Sequence, residues 1–157
     1  MDYFSILIVD DEEDFVETLV KRLQKHNIDT VGVTSAEEAL KLLDTRRFDV
    51  VVLDVRMPGG MDGIQAQREM KRKAPLMEVI LLTGHASVET SIEGMKQGAF
   101  DYLLKPVKFE DLLVKIGQAF EKKDQHEQKI RKAKIKDLIR FPGRVFQQDK
   151  EENEGKE

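Results

Sequence analysis

Short apolar runs alternate with helical stripes over the first 120 positions. Ile6-Leu7-Ile8-Val9 is unbroken and ends in Asp10-Asp11, the pattern of a strand buried on both faces. From Asp14 to His26 the apolar residues Phe15, Leu19, Val20 and Leu23 recur at helical spacing. A weaker strand over 30–33 leads to Ser35-Ala36-Glu37-Glu38. There Ser35 is placed to cap a helix, with Glu38 at its third position and Ala39, Leu40 and Leu43 on its apolar face.

The Val-rich segment from Phe48 to Leu53 predicts a central strand terminated by Asp54. A Met-Pro-Gly-Gly-Met-Asp-Gly loop follows, then a short helix from Ile64 to Lys73, before Pro75. Met77 to Leu82 predicts another buried strand, ending at Thr83-Gly84. Ser87 is the expected cap of a helix running to about Gln97, with Gly98 past its end. Ala99 to Leu104 is the last strand and Phe109 to Phe120 the last helix of the repeating pattern. Five alternations imply an α/β fold, a parallel sheet covered on both faces and wound in both directions. Chemistry in such folds gathers beyond the carboxyl ends of the strands.

Charge divides the chain. Residues 1–120 carry 15 basic and 21 acidic side chains, whereas residues 121–140 carry 8 and 4. The acidic body argues against binding a phosphate backbone and so against nucleic acid as a partner, and only the basic segment keeps that reading open. With no cysteine, the 157-residue chain has neither disulfides nor thiolate metal sites and suits a reducing cytoplasm. Its N-terminal apolar run is too short to span a membrane.

The strand ends carry the candidate chemistry. Asp10 and Asp11 follow the first strand, Asp54 the third, Thr83 the fourth and Lys105 the fifth. Each has an ordinary reading taken alone: an acidic helix start, a turn residue, a surface lysine. Together they put three carboxylates, a hydroxyl and an ammonium in one crevice. Crowded carboxylates call for a hard cation such as Mg2+, and the set suits in-line attack of a carboxylate on phosphorus.

The pieces IVDDE, LDVRMPGGMDG, LLTGHA and DYLLKP, in register over residues 5 to about 120, resemble the receiver domains of bacterial two-component response regulators. The resemblance implies a flavodoxin-like (βα)5 sandwich with strand order 2-1-3-4-5. It makes Asp54 the phosphoacceptor, supplied by a sensor histidine kinase or histidine phosphotransfer protein. Asp11 is expected to bind Mg2+, with Asp10 assisting and Arg56 lending its backbone carbonyl. Thr83 and Lys105 are expected to bind phosphoryl oxygens, and Tyr102 occupies the aromatic position that moves with Thr83. Arg56 and His85 should flank the path of water and tune phosphoryl loss. The Lys105-Pro106 bond is expected to be cis, turning the chain while Lys105 points into the crevice. No enzymatic activity is implied beyond the domain's own phosphorylation and dephosphorylation. An aspartyl-phosphate phosphohydrolase is disfavoured, because that family's Asp-x-Asp pair is absent: the second position is Arg56.

Beyond Phe120 no Gly or Pro interrupts the chain before Pro142. The expected organisation is a receiver domain over 1–122, a basic helical extension over 123–141 and a disordered charged tail over 142–157. Ile130, Ile135, Leu138 and Ile139 give the extension apolar side chains on or near one face, suited to a homodimer contact or a downstream protein target. No output domain is recognisable, so the chain reads as a stand-alone regulator or as the receiver of a larger transcriptional regulator.

Overall fold

The computed structural model describes residues 4–84 and 88–140. The expected caps at Ser87 and Pro142-Gly143, the tail and His85 lie outside the described residues. The elements follow in the order β1 (Ser5–Val9), α1 (Glu13–Lys25), β2 (Asp29–Val33), α2 (Ala36–Thr45), β3 (Val50–Asp54), α3 (Gly63–Lys73), β4 (Glu78–Thr83), α4 (Val88–Lys96), β5 (Asp101–Leu104) and α5 (Phe109–Arg140). The five strands pair in parallel, in the order β2-β1-β3-β4-β5. This is the flavodoxin-like arrangement.

The alternating side-chain direction of each strand divides the core into two layers. Ile6, Ile8, Val50, Val52, Ile80 and Leu82 pack with Leu19 and Leu23 of α1 and with Leu112 and Ile116 of α5. Leu7, Val9, Val51, Leu53, Val79 and Leu81 face the other way, against Ala39 of α2 and Met70 of α3. All twelve strand residues are at most 1% exposed, and truncating any of the leucines to alanine would cost about 2–5 kcal/mol.

Two expected strands are shorter than the apolar pattern suggested. Phe48 precedes β3 and Ala99 precedes β5, yet both are buried. They fill the core from a loop, where burial needs no ladder partner. The Ser35 cap is present, its hydroxyl accepting the Glu38 N–H at 3.2 Å. Asp62 caps α3 in the same way, from Gln65 at 2.8 Å. Gly98 adopts a φ of 101° beyond α4, a conformation that favours glycine.

The chain separates into two units, residues 1–123 and 124–157. Within the second, the described part is helical to Arg140 and exposes Ile130, Ile135, Leu138 and Ile139. At about 100° per residue, Ile135, Leu138 and Ile139 share a face. Ile130 stands roughly 140° from Ile135 on the same count, so the apolar stripe is narrower than expected. No helix among the described residues is long and apolar enough to cross a membrane.

Candidate functional site

Strand register brings the acids together. Val9 is paired with Leu53 on the neighbouring strand, so the next residues, Asp10 and Asp54, leave the sheet side by side. Both continue the parity of Ile8 and Val52 and so face the α1/α5 layer. Asp11 turns in behind them at the start of α1. Carboxylate oxygens of Asp10, Asp11 and Asp54 all lie within 4.8 Å of one another. Asp10 is fully buried and Asp54 is 5% exposed.

Among the described residues, one cation reaches Asp10 and Asp54. The Lys105 ammonium is 2.6 Å from Asp10 Oδ2 and 3.7 Å from Asp54 Oδ2. Backbone N–H groups add to it: Glu12 donates to Asp10 Oδ1 at 3.0 Å and Arg56 to Asp54 Oδ1 at 3.3 Å. These do not balance the site. Burial, and then the Asp10 charge, push the Asp54 carboxyl up to about 6, with Lys105 and the Arg56 N–H only partly offsetting them. Burial works against the Lys105 charge, but the Asp10 hydrogen bond and the carboxylates outweigh it and raise its pKa. A cluster of three oxygen donors with surplus negative charge fits a hard divalent cation.

Thr83 and Tyr102 belong to the opposite face. Thr83 shares the parity of Val79 and Leu81, and its strand partner is Leu104. Tyr102 is two residues before Leu104 and packs against the Leu53–Leu81 layer. The two therefore share the α2–α4 side, one pair apart, while Asp54 and Asp10 lie on the α1/α5 side. Thr83 is fully buried, and its hydroxyl donates to the Gly84 carbonyl at 3.0 Å. The Lys105-Pro106 bond is cis, as expected, and the Lys105 N–H donates to the Thr83 carbonyl at 2.8 Å.

The loop beyond Asp54 is held by contacts of two kinds. Gly63 donates its N–H to the Val55 carbonyl at 3.1 Å. A Cβ at Gly63 would stand 2.6 Å from the backbone of Val55, so only glycine lets α3 press on the end of β3. Glu37 of α2 accepts the Met61 N–H at 3.1 Å. Sequence reasoning missed this tie, since Glu37 reads there as an ordinary acid of a first helical turn. It also missed Phe15, assigned only to the core stripe of α1, whose ring centroid is 5.0 Å from the Lys105 ammonium. The Arg56 side chain is exposed.

The family model for the response regulator receiver domain matches residues 6–117. The chain belongs to that family. A putative NtrX-like response regulator of Rickettsia bellii is 34% identical over 122 residues, covering 77% of this chain and 26% of the relative. The transcriptional regulatory protein ZraR of Escherichia coli O157:H7 is 37% identical over 118 residues, again covering 26% of its length. The chain thus spans about a quarter of the curated relatives it matches. A receiver domain protein from Clostridium thermocellum superposes with a TM-score of 0.73 at 35% identity, over 78% of this chain and 98% of that one. This chain is therefore a response regulator receiver domain, built on the fold that its sequence pattern implied.

Proposed function

We propose that this receiver accepts a phosphoryl group on Asp54, from a histidine kinase or histidine phosphotransfer protein, and passes the signal to a downstream protein in the cytoplasm. The observation that carries the reading is the cluster of Asp10, Asp11 and Asp54, in which Lys105 reaches Asp10 and Asp54. A surplus of anionic oxygen around one buried nucleophile is the arrangement a phosphoryl acceptor requires once a cation joins it.

Asp10, Asp11, Asp54 and the Arg56 carbonyl would hold Mg2+, which when bound supplies positive charge opposite the phosphoryl oxygens. An Asp54 oxygen attacks phosphorus, forming the acyl phosphate as the P–N bond of the donor phosphohistidine breaks. The imidazole leaves with the bonding electron pair. Lys105 exchanges Asp10 for a phosphoryl oxygen and neutralises charge there. The Thr83 hydroxyl leaves the Gly84 carbonyl to donate to another phosphoryl oxygen, drawing the end of β4 inward. Tyr102, on the same face, follows it. Phosphorylation thereby biases a two-state equilibrium.

Arg56 and His85 are assigned to the approach of water to the acyl phosphate. Replacing either with alanine should change the decay rate severalfold while leaving labelling by donor intact, measured by loss of phosphoprotein after donor removal. Equal decay in both variants would remove them from that role. Because the matched segment is only 26% of a relative such as ZraR, the reading extends to a receiver within a larger transcriptional regulator. The exposed Ile135, Leu138 and Ile139 are assigned to association with a second copy.

The test is labelling with acetyl phosphate in Mg2+. Asp54→Asn should take up no phosphoryl group by intact-mass measurement, and Asp11→Ala should be unlabelled while remaining folded. Labelling of the Asp54→Asn variant at the wild-type level would refute the assignment.

A further inference from the structure

Lys105 has to change partners during the reaction, and the site contains a group suited to that change. Its ammonium is bound to Asp10 at 2.6 Å, a directed hydrogen bond that must break before a phosphoryl oxygen can be met. Its side chain is 23% exposed, so water competes for the ammonium in between. The third neighbour of the ammonium is the ring of Phe15, at 5.0 Å from the centroid, inside the roughly 6 Å reach of a cation–π attraction. We propose that Phe15 is a positioning residue for phosphoryl transfer, its π face holding the Lys105 ammonium in the crevice as it passes from Asp10 to the phosphoryl group.

The inference rests on the reading of Asp54 as phosphoacceptor. Its physical content is that a ring quadrupole is less directional than a hydrogen bond. The attraction changes slowly as the ammonium slides over the face, so it persists through the exchange that costs Lys105 its carboxylate partner. The ring is itself held. Phe15 packs against the α1/α5 layer and lines a cleft of about 80 Å³ with Leu19, Val107, Phe109 and Leu112. On that wall the Arg22 guanidinium lies 4.0 Å from the Phe109 centroid, so the neighbouring ring already has a cation of its own. Register places Phe15 correctly: Asp10 and Asp54 leave the sheet toward α1, and the first turn of α1 carries the ring to the same side.

A plain core role for Phe15 predicts sensitivity to volume, whereas positioning predicts sensitivity to the π face. Wild type, Phe15→Leu and Phe15→Tyr are compared for the rate of labelling by acetyl phosphate in Mg2+, per folded molecule. A small donor removes the kinase, so no change can arise from weakened docking. Phe15→Leu should slow labelling about three- to tenfold, with Phe15→Tyr close to wild type. Pentafluorophenylalanine at position 15 keeps the ring shape but reverses its quadrupole, and should be slow like leucine. Labelling of the leucine or pentafluoro variant at the wild-type rate overturns the proposal, and so does a tyrosine variant as slow as leucine. If wild type takes no label on Asp54, the underlying reading fails instead, and the two failures are distinguishable.

Discussion

Buried acids occur at both ends of the sheet, and the two ends treat them in opposite ways. At the carboxyl ends Asp10 and Asp54 share Lys105, with the exposed Asp11 beside them. At the amino ends Asp49, just before β3, and Glu78, which opens β4, each face a separate lysine of α5. Lys123 is 2.6 Å from Asp49, with both side chains at most 15% exposed, and Lys122 is 3.7 Å from Glu78. Asp49 also accepts the Ser5 N–H at 2.8 Å. At the amino end each acid has a lysine of α5, with Lys71 also acting on Glu78, whereas the other end is left anionic. Matched charges hold α5 to the sheet; the unmatched ones are available for a cation and a phosphoryl group.

The largest stability change should come from breaking the matched end. Lys123→Ala strands the Asp49 carboxylate in a poorly solvated position, and removing one partner of a buried pair is costly. A loss of about 2–4 kcal/mol is expected by urea denaturation, with labelling of the folded fraction unchanged. The double variant Asp49→Asn/Lys123→Met, which removes both charges, should recover much of it. If Lys123→Ala is neutral, or if it slows labelling of folded protein, the division between the two ends is wrong.

The opposite sign is expected at the anionic end. Asp54 has a folded-state pKa of about 6, above the value of about 3.9 for an unfolded chain. The folded state therefore binds this proton more tightly. Its contribution is fully favourable below about pH 4 and is lost as pH rises through about 6. In chelator at pH 7.5, Asp54→Asn should thus be more stable than wild type by about 1–3 kcal/mol. The gap should close toward pH 4, and added Mg2+ should stabilise wild type more than the variant. Equal stability at both pH values would remove the electrostatic account of the site.

The two ends were unequally legible in sequence. Asp10, Asp54, Thr83 and Lys105 each terminate a strand, so the apolar runs located them and parallel register brought them together. The positions of Asp49 and Glu78 also follow from the strands, but their partners, 74 residues away for Lys123 and Asp49, depend on how α5 packs. That packing leaves no local pattern, and EKKDQHEQK reads as solvated charge. Phe15 was hidden for a different reason: an aromatic at helical spacing carries the same signature whether it fills a core or faces an ammonium. The layer assignment of Thr83 and Tyr102 needed the β4–β5 register, which periodicity within single strands does not supply.

The smallest effect on the receiver itself should follow from removing the second unit, and the comparison decides where to cut. Lys123 pairs with Asp49, so truncation after Asp124 preserves the amino-end pairs, whereas truncation after Lys122 would delete one. The shorter chain should keep the wild-type labelling rate and urea midpoint, because residues 128–140 are exposed throughout. What should change is association. Ile135, Leu138 and Ile139 share a face and are 41–75% exposed. Burying three aliphatic side chains against a second copy is worth at most about 1.5–3 kcal/mol each, before the cost of bringing two molecules together. Self-association of the full chain should therefore be weak and concentration-dependent, seen by sedimentation velocity as a rise in mean mass that the truncated chain lacks. An unchanged concentration dependence after truncation would assign these side chains no part in pairing, and a drop in labelling would place the extension inside the switch.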